Sequence, residues 1–155
     1  MSSPLILGFD LGNDTEYARW FPIVSNPLAL RIQSSWAGLA GRLVQVSEHT
    51  FRSVVPHGCT CEDMKDTRDL PTYTVWGKPV SKNAWALTAI NSVQGEQMIT
   101  VQLADLGLSP PLKVTDVWTG EATFVAAGAA GWNVSLAPAG APGGHRFVLL
   151  EEHDA

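Results

Sequence analysis

The chain has 155 residues, 45% of them hydrophobic and 16% charged, with 10 Lys plus Arg against 15 Asp plus Glu and a net charge of -5. That length fits one domain with a buried core, and the composition lies far from the polar, highly charged signature of disorder. No basic run forms a stripe able to track a phosphate backbone, so nucleic acid is not among the expected partners.

Leu5-Ile6-Leu7-Gly8-Phe9 is the first apolar run, and no basic residue precedes it. It is too short to cross a membrane and lacks signal-peptide flanks, so these residues are expected to hold neither a membrane span nor an export signal. Being continuous rather than alternating, it reads as a strand covered on both faces, as in a parallel sheet. The polar stretch Gly12–Glu16 follows, in which Asp14 or Thr15 can cap a short helix through Tyr17, Trp20 and Phe21 until Pro22 interrupts it. Asn26 at a cap position, Pro27 in the first turn, and Leu28, Leu30 and Ile32 predict a second short helix over Pro27–Gln33.

From Arg42 the pattern becomes antiparallel β. Apolar-rich runs at Leu43–Val46, Tyr73–Trp76, Ala84–Ile90, Met98–Leu103, Lys113–Trp118, Ala122–Val125, Trp132–Leu136 and Arg146–Leu150 predict about eight strands of a sandwich. Trp118–Ala122 reads as a tight hairpin turn and Ala137–Gly144 as an irregular loop. Val54–Leu70 is polar, carries alternating charges and has no clear period, which predicts a long surface loop.

Candidate chemistry is sparse. Asp10 ends the first apolar run, where a barrel strand would present it to an active-site mouth. Cleaving a glycosidic bond by the usual route needs two carboxyl groups flanking it, and Asp14 or Glu16 could partner Asp10 only if the loop folds back. His57, Cys59 and Cys61 are possible zinc ligands, but the single-residue spacer and lack of a fourth ligand favour a plain surface loop. A catalytic cysteine there would need a base and a lowered pKa that His57 alone does not establish. Two cysteines make no disulfide framework.

Six tryptophans, Trp20, Trp36, Trp76, Trp85, Trp118 and Trp132, form either core or a sugar-stacking platform. Large aromatics dominate sandwich cores, so core is the expectation, with Trp36 and Trp132 the ones expected outside because small residues flank them. Gly140, Gly143 and Gly144 sit among prolines without the helix or Lys-Ser/Thr pair of a phosphate loop, there is no Gly-x-Ser-x-Gly elbow, and His145 reads as a turn residue. Asn13-Asp14-Thr15 and Asn133-Val134-Ser135 fit the N-glycosylation pattern, which matters only in a secretory route.

The order of these pieces resembles glycoside hydrolase family 27, the α-galactosidases. Ser3–Leu11 and Ile23–Gln33 are similar to the family's last barrel strand, "APL" ending in "D-L", and to the "SN" that precedes its following helix. Val75-Trp76-Gly77-Lys78-Pro79-Val80-Ser81 resembles "V-W-x-x-P-L-S", and Asp105–Leu108 and Asp116–Trp118 resemble "D-I-G-L" and "D-L-W". Gly144–Leu150 is a looser match to the closing strand. The pattern is broken at Arg31–Ser35, where the family's "N-Q" is not kept, and at Val54–Leu70, which looks like an insertion.

The resemblance implies a mainly β chain. Residues 1–41 would be a remnant of the last βα unit of a TIM barrel, and residues 42–155 the C-terminal antiparallel β-sandwich, with 54–70 a long loop. The family's paired catalytic aspartates and its galactose-holding residues lie upstream, and neither motif occurs here. No catalytic, substrate-binding or metal-ligating residue is therefore carried over, no cofactor is expected, and a galactoside would be a substrate only of a full-length parent. Relatives alone suggest secretion or a lysosome-like destination. A strand and helix built to face barrel neighbours would leave Leu5–Phe9 and one face of Pro27–Gln33 exposed here. A free-standing β-sandwich binding carbohydrate or a protein partner is the alternative, and a degenerate paralogue without a ligand is a third reading.

Overall fold

A computed structural model of the chain describes residues 12–56 and 65–153. Among the described residues two helices lead, α1 (Asp14–Val24) and α2 (Pro27–Ser34). Ten strands follow: β1 (Arg42–Val46), β2 (Thr50–Pro56), β3 (Lys65–Pro71), β4 (Tyr73–Ser81), β5 (Ala84–Asn91), β6 (Gln97–Gln102), β7 (Leu112–Asp116), β8 (Ala122–Val125), β9 (Gly131–Leu136) and β10 (His145–Glu152). A 3₁₀ turn, Leu103–Leu106, lies between β6 and β7.

Every described pairing is antiparallel. Six strands form the main sheet in the order β1-β4-β5-β10-β7-β8, and β6 pairs with β9 in a second, two-stranded layer. The core lies between these layers. β6 and β9 alternate strictly, turning Ile99, Val101, Trp132, Val134 and Leu136 inward against Val75, Leu87, Leu112, Val114, Val148 and Leu150. This is the one-sided burial expected of an antiparallel sandwich.

β5 and the middle of β10 read differently, because both of their faces are covered. Ala84, Ala86 and Leu149 turn away from the main core and meet Ile32 and Val117 in a second cluster, with Leu28 and Ala29 of α2 packed beside it. Thus α2 buries one side on the main sheet while Leu30 stays exposed.

The eight strands expected from the apolar runs are all present, with their ends shifted by a few residues. Leu103 passes into the 3₁₀ turn, and Val117 and Trp118 leave β7 for the turn to β8. The expected long loop at Val54–Leu70 is a correction: β2 and β3 pair in register from Thr50↔Pro71 to Pro56↔Lys65. This ladder stands apart from the main sheet, so it needs no apolar alternation, and an opposite-charge pair such as Arg52 facing Asp69 suits it instead.

Helix α1 is capped by Asn13, whose side chain accepts from the Thr15 and Glu16 N–H groups, rather than by Asp14 or Thr15. It also runs through Pro22 to Val24: the proline gives up one N–H bond, and the ladder resumes beyond it with the Ser25 N–H donating to the Phe21 carbonyl at 2.9 Å. The second helix starts as expected at Asn26-Pro27, the Asn26 Oδ1 accepting from the Leu28 and Ala29 N–H groups. Leu5–Phe9, Asp10, His57, Cys59 and Cys61 lie outside the described residues.

Candidate functional site

The outer face of the main sheet forms the floor of an open groove of about 720 Å³. Register explains its rows. Trp76 of β4, Thr88 of β5 and Phe147 of β10 are direct cross-strand neighbours, as are Lys78, Ala86 and Leu149, so each trio shares one face. The ends of the two helices, Ile23 and Val24 of α1 and Ala29, Leu30 and Ile32 of α2, form the facing wall.

Four side chains, Lys78, Asn26, Arg31 and Asp116, hold that wall and one rim in place. Lys78 is buried, and its ammonium donates to the carbonyl oxygens of Ile32 (2.8 Å) and Gln33 (3.2 Å), closing the C-terminal end of α2. Burial pushes the Lys78 pKa below its usual 10.5. At the other end of α2, Asn26 Nδ2 donates to the Val117 carbonyl at 2.9 Å. Arg31 pairs with Glu151 at 2.6 Å on the exposed side of α2. The turn after β7 is fixed by Asp116, which accepts from the Trp118 and Thr119 N–H groups, and it sets the Trp118 ring 5.4 Å from Phe147.

The groove is apolar. Among the described residues, Arg42 and Lys78 are the ionisable groups that line it, and no carboxylate does. Such a site can bury apolar surface, and its described lining holds no pair of carboxyl groups of the kind that glycosidic cleavage uses. No group of three or more His, Cys, Asp or Glu able to hold a metal occurs among the described residues. Asp14, exposed, and Glu16, half-buried, sit in the first turn of α1, and neither lines the groove.

The tryptophans divide against the sequence expectation. Trp85 and Trp132 are core, whereas Trp20, Trp36, Trp76 and Trp118 are exposed at 37%, 63%, 48% and 42%. Trp36 is outside as expected, but Trp132 is not, because the phase of β9 turns residues 132, 134 and 136 inward together. His145 is the exposed first residue of β10 rather than part of a turn. Lys78, Asn91 and Gly77, which organise the structure, were not singled out by sequence. The signal for Lys78 was a lone charge within an otherwise uncharged strand.

Residues 71–142 match the model of the α-galactosidase C-terminal β-sandwich domain. Among solved structures, the chain is similar to a proposed α-N-acetylgalactosaminidase from Bacillus halodurans, with a TM-score of 0.67 and 14% identity over 98% of this chain and 29% of that one. It is likewise similar to α-galactosidase I from Mortierella vinacea, with a TM-score of 0.63 and 16% identity over 97% of this chain and 32% of that one. A family 27 β-L-arabinopyranosidase from Geobacillus stearothermophilus, in complex with arabinose, gives a TM-score of 0.58 and 17% identity over 86% of this chain and 24% of that one. The chain therefore spans about a third or less of each of these proteins. No curated protein sequence matches it.

Proposed function

We propose, for a chain that carries the C-terminal β-sandwich domain of the glycoside hydrolase family 27 α-galactosidases, that it is the non-catalytic C-terminal part of such an enzyme. The full-length form would release terminal α-linked galactose with retention of configuration, using two carboxyl groups supplied from upstream. The 155 residues by themselves would be inactive.

The match over residues 71–142 carries this reading. The groove supports it: a wall of helix ends and a floor with exposed Trp76 and Ile90 form the kind of apolar patch that soluble domains keep covered. A catalytic barrel joined ahead of α1 is the proposed cover. Sequencing the transcript upstream of the Met1 codon tests the reading. A continuous frame encoding barrel strands with paired aspartates is expected, and an in-frame stop immediately upstream overturns it.

The alternative is a free-standing module that binds carbohydrate, and Trp76 and Trp118 in one groove favour it. Titration of the chain with galactose and galactosides, followed by heat of binding, tests it: saturable heat lost in Trp76→Ala supports a sugar platform, and no heat argues against one.

A further inference from the structure

The outward face of β6 and β9 is the side of the sandwich opposite the groove, since the groove lies on the outer face of the main sheet and this layer covers its inner face. It carries Asn133-Val134-Ser135, a tripeptide whose asparagine is the acceptor pattern for N-linked sugar. We propose that Asn133 carries an N-linked oligosaccharide when the chain passes through a secretory route.

Three observations place the acceptor. β9 alternates, so Val134 is buried while Asn133 and Ser135 are exposed together on the outward face. Thr100, directly across the ladder, donates its hydroxyl to Asn133 Oδ1 at 2.7 Å. That contact engages the oxygen and leaves Nδ2 without a hydrogen-bond partner among the described residues. The neighbours on this face, Met98 and Thr100, are also exposed, so a sugar chain has open space around its root.

The reaction balances with a polyprenyl-diphosphate-linked oligosaccharide as donor. Nδ2 forms a bond to the anomeric carbon, the bond from that carbon to the diphosphate oxygen breaks, the diphosphate leaves with the electron pair, and Nδ2 releases one proton. The other matching tripeptide, at Asn13, opens helix α1 and serves as the comparison site. A sugar on Asn133 leaves the groove free. It also shields a two-stranded layer whose outer edges are unpaired among the described residues and whose Met98 is 73% exposed.

The test secretes the full 155-residue chain from yeast behind a cleavable signal sequence, as wild type, Asn133→Gln, Ser135→Ala, Ser135→Thr and Asn13→Gln. Peptide mapping is expected to find sugar at Asn133 in wild type, Ser135→Thr and Asn13→Gln, and none at residue 133 in the other two. An endoglycosidase is expected to remove it from the native protein without denaturant. An unmodified Asn133 in the wild-type chain overturns the proposal, whether the chain is recovered from the medium or from microsomes. So does a sugar at Asn133 that is released only after unfolding.

Discussion

The ammonium of Lys78 lies 2.8 Å from the carbonyl oxygen of Ile32, so a cation from strand β4 terminates helix α2 and fixes it to the main sheet. Lys78 is 6% exposed, and its second acceptor is the neighbouring Gln33 carbonyl. Replacement by methionine keeps the stem but leaves these helix-end carbonyls without that donor. The expected loss is about 1–3 kcal/mol of unfolding free energy, measured by urea denaturation. A variant as stable as wild type would show that Lys78 does not anchor α2.

Burial lowers the Lys78 pKa from 10.5, and this gives a signed pH effect. Between the lowered folded value and the unfolded value near 10.4, the unfolded chain binds the extra proton, so unfolding free energy rises with pH across that window. Other groups titrate there too. The prediction is therefore the difference between wild type and Lys78→Met: the wild-type urea midpoint gains on the variant as pH is raised toward 10.5. A constant difference would contradict it.

Gly77 sits where β4 passes over the core. A Cβ built there would lie 2.7 Å from both Leu87 Cδ2 and Val44 Cγ2, and 3.2 Å from the Trp85 ring. Alanine at this position is expected to cost about 1–3 kcal/mol through overpacking. Gly77→Ala combined with Val44→Ala is expected to recover part of the loss, and a thermal melt of the three proteins checks both.

Asn91 is buried at the end of β5 and holds two loops together. Its Nδ2 donates to the Gly95 and Ala137 carbonyls at 2.7 and 2.8 Å, and its Oδ1 accepts from the Val93 N–H at 2.9 Å. Asn91→Ala should cost about 1–3 kcal/mol by stranding these groups. Asn91→Asp should cost more, since it faces a carboxylate toward two carbonyl oxygens. Hydrogen exchange is expected to quicken first at Val93 N–H.

The sequence made the local chemistry legible: Asn26-Pro27 starts a helix, and alternation or apolar continuity marks eight strands. What depends on which face is covered was less visible. Trp132, Val134 and Leu136 alternate with Asn133 and Ser135, so the phase of β9 was readable, yet small neighbours pointed Trp132 outward. Trp76 lies on the groove face with its cross-strand partner Thr88, while Gly77 beside it pairs with the buried Leu87 on the core side, a fact of register. β2 and β3 were hidden because a ladder outside the main sheet carries no apolar period. That no carboxylate of the described residues lines the groove follows from which residues the sheet and helices bring together.

The most direct measurement is hydrolysis of 4-nitrophenyl α-galactoside by the purified 155-residue chain, run beside a buffer blank and an active α-galactosidase. The account predicts release at the rate of the blank, since among the described residues the groove offers Arg42 and Lys78 but no acid and nucleophile pair. Reproducible turnover that disappears in Asp10→Asn would contradict it and put a carboxylate of this chain at the centre of the chemistry.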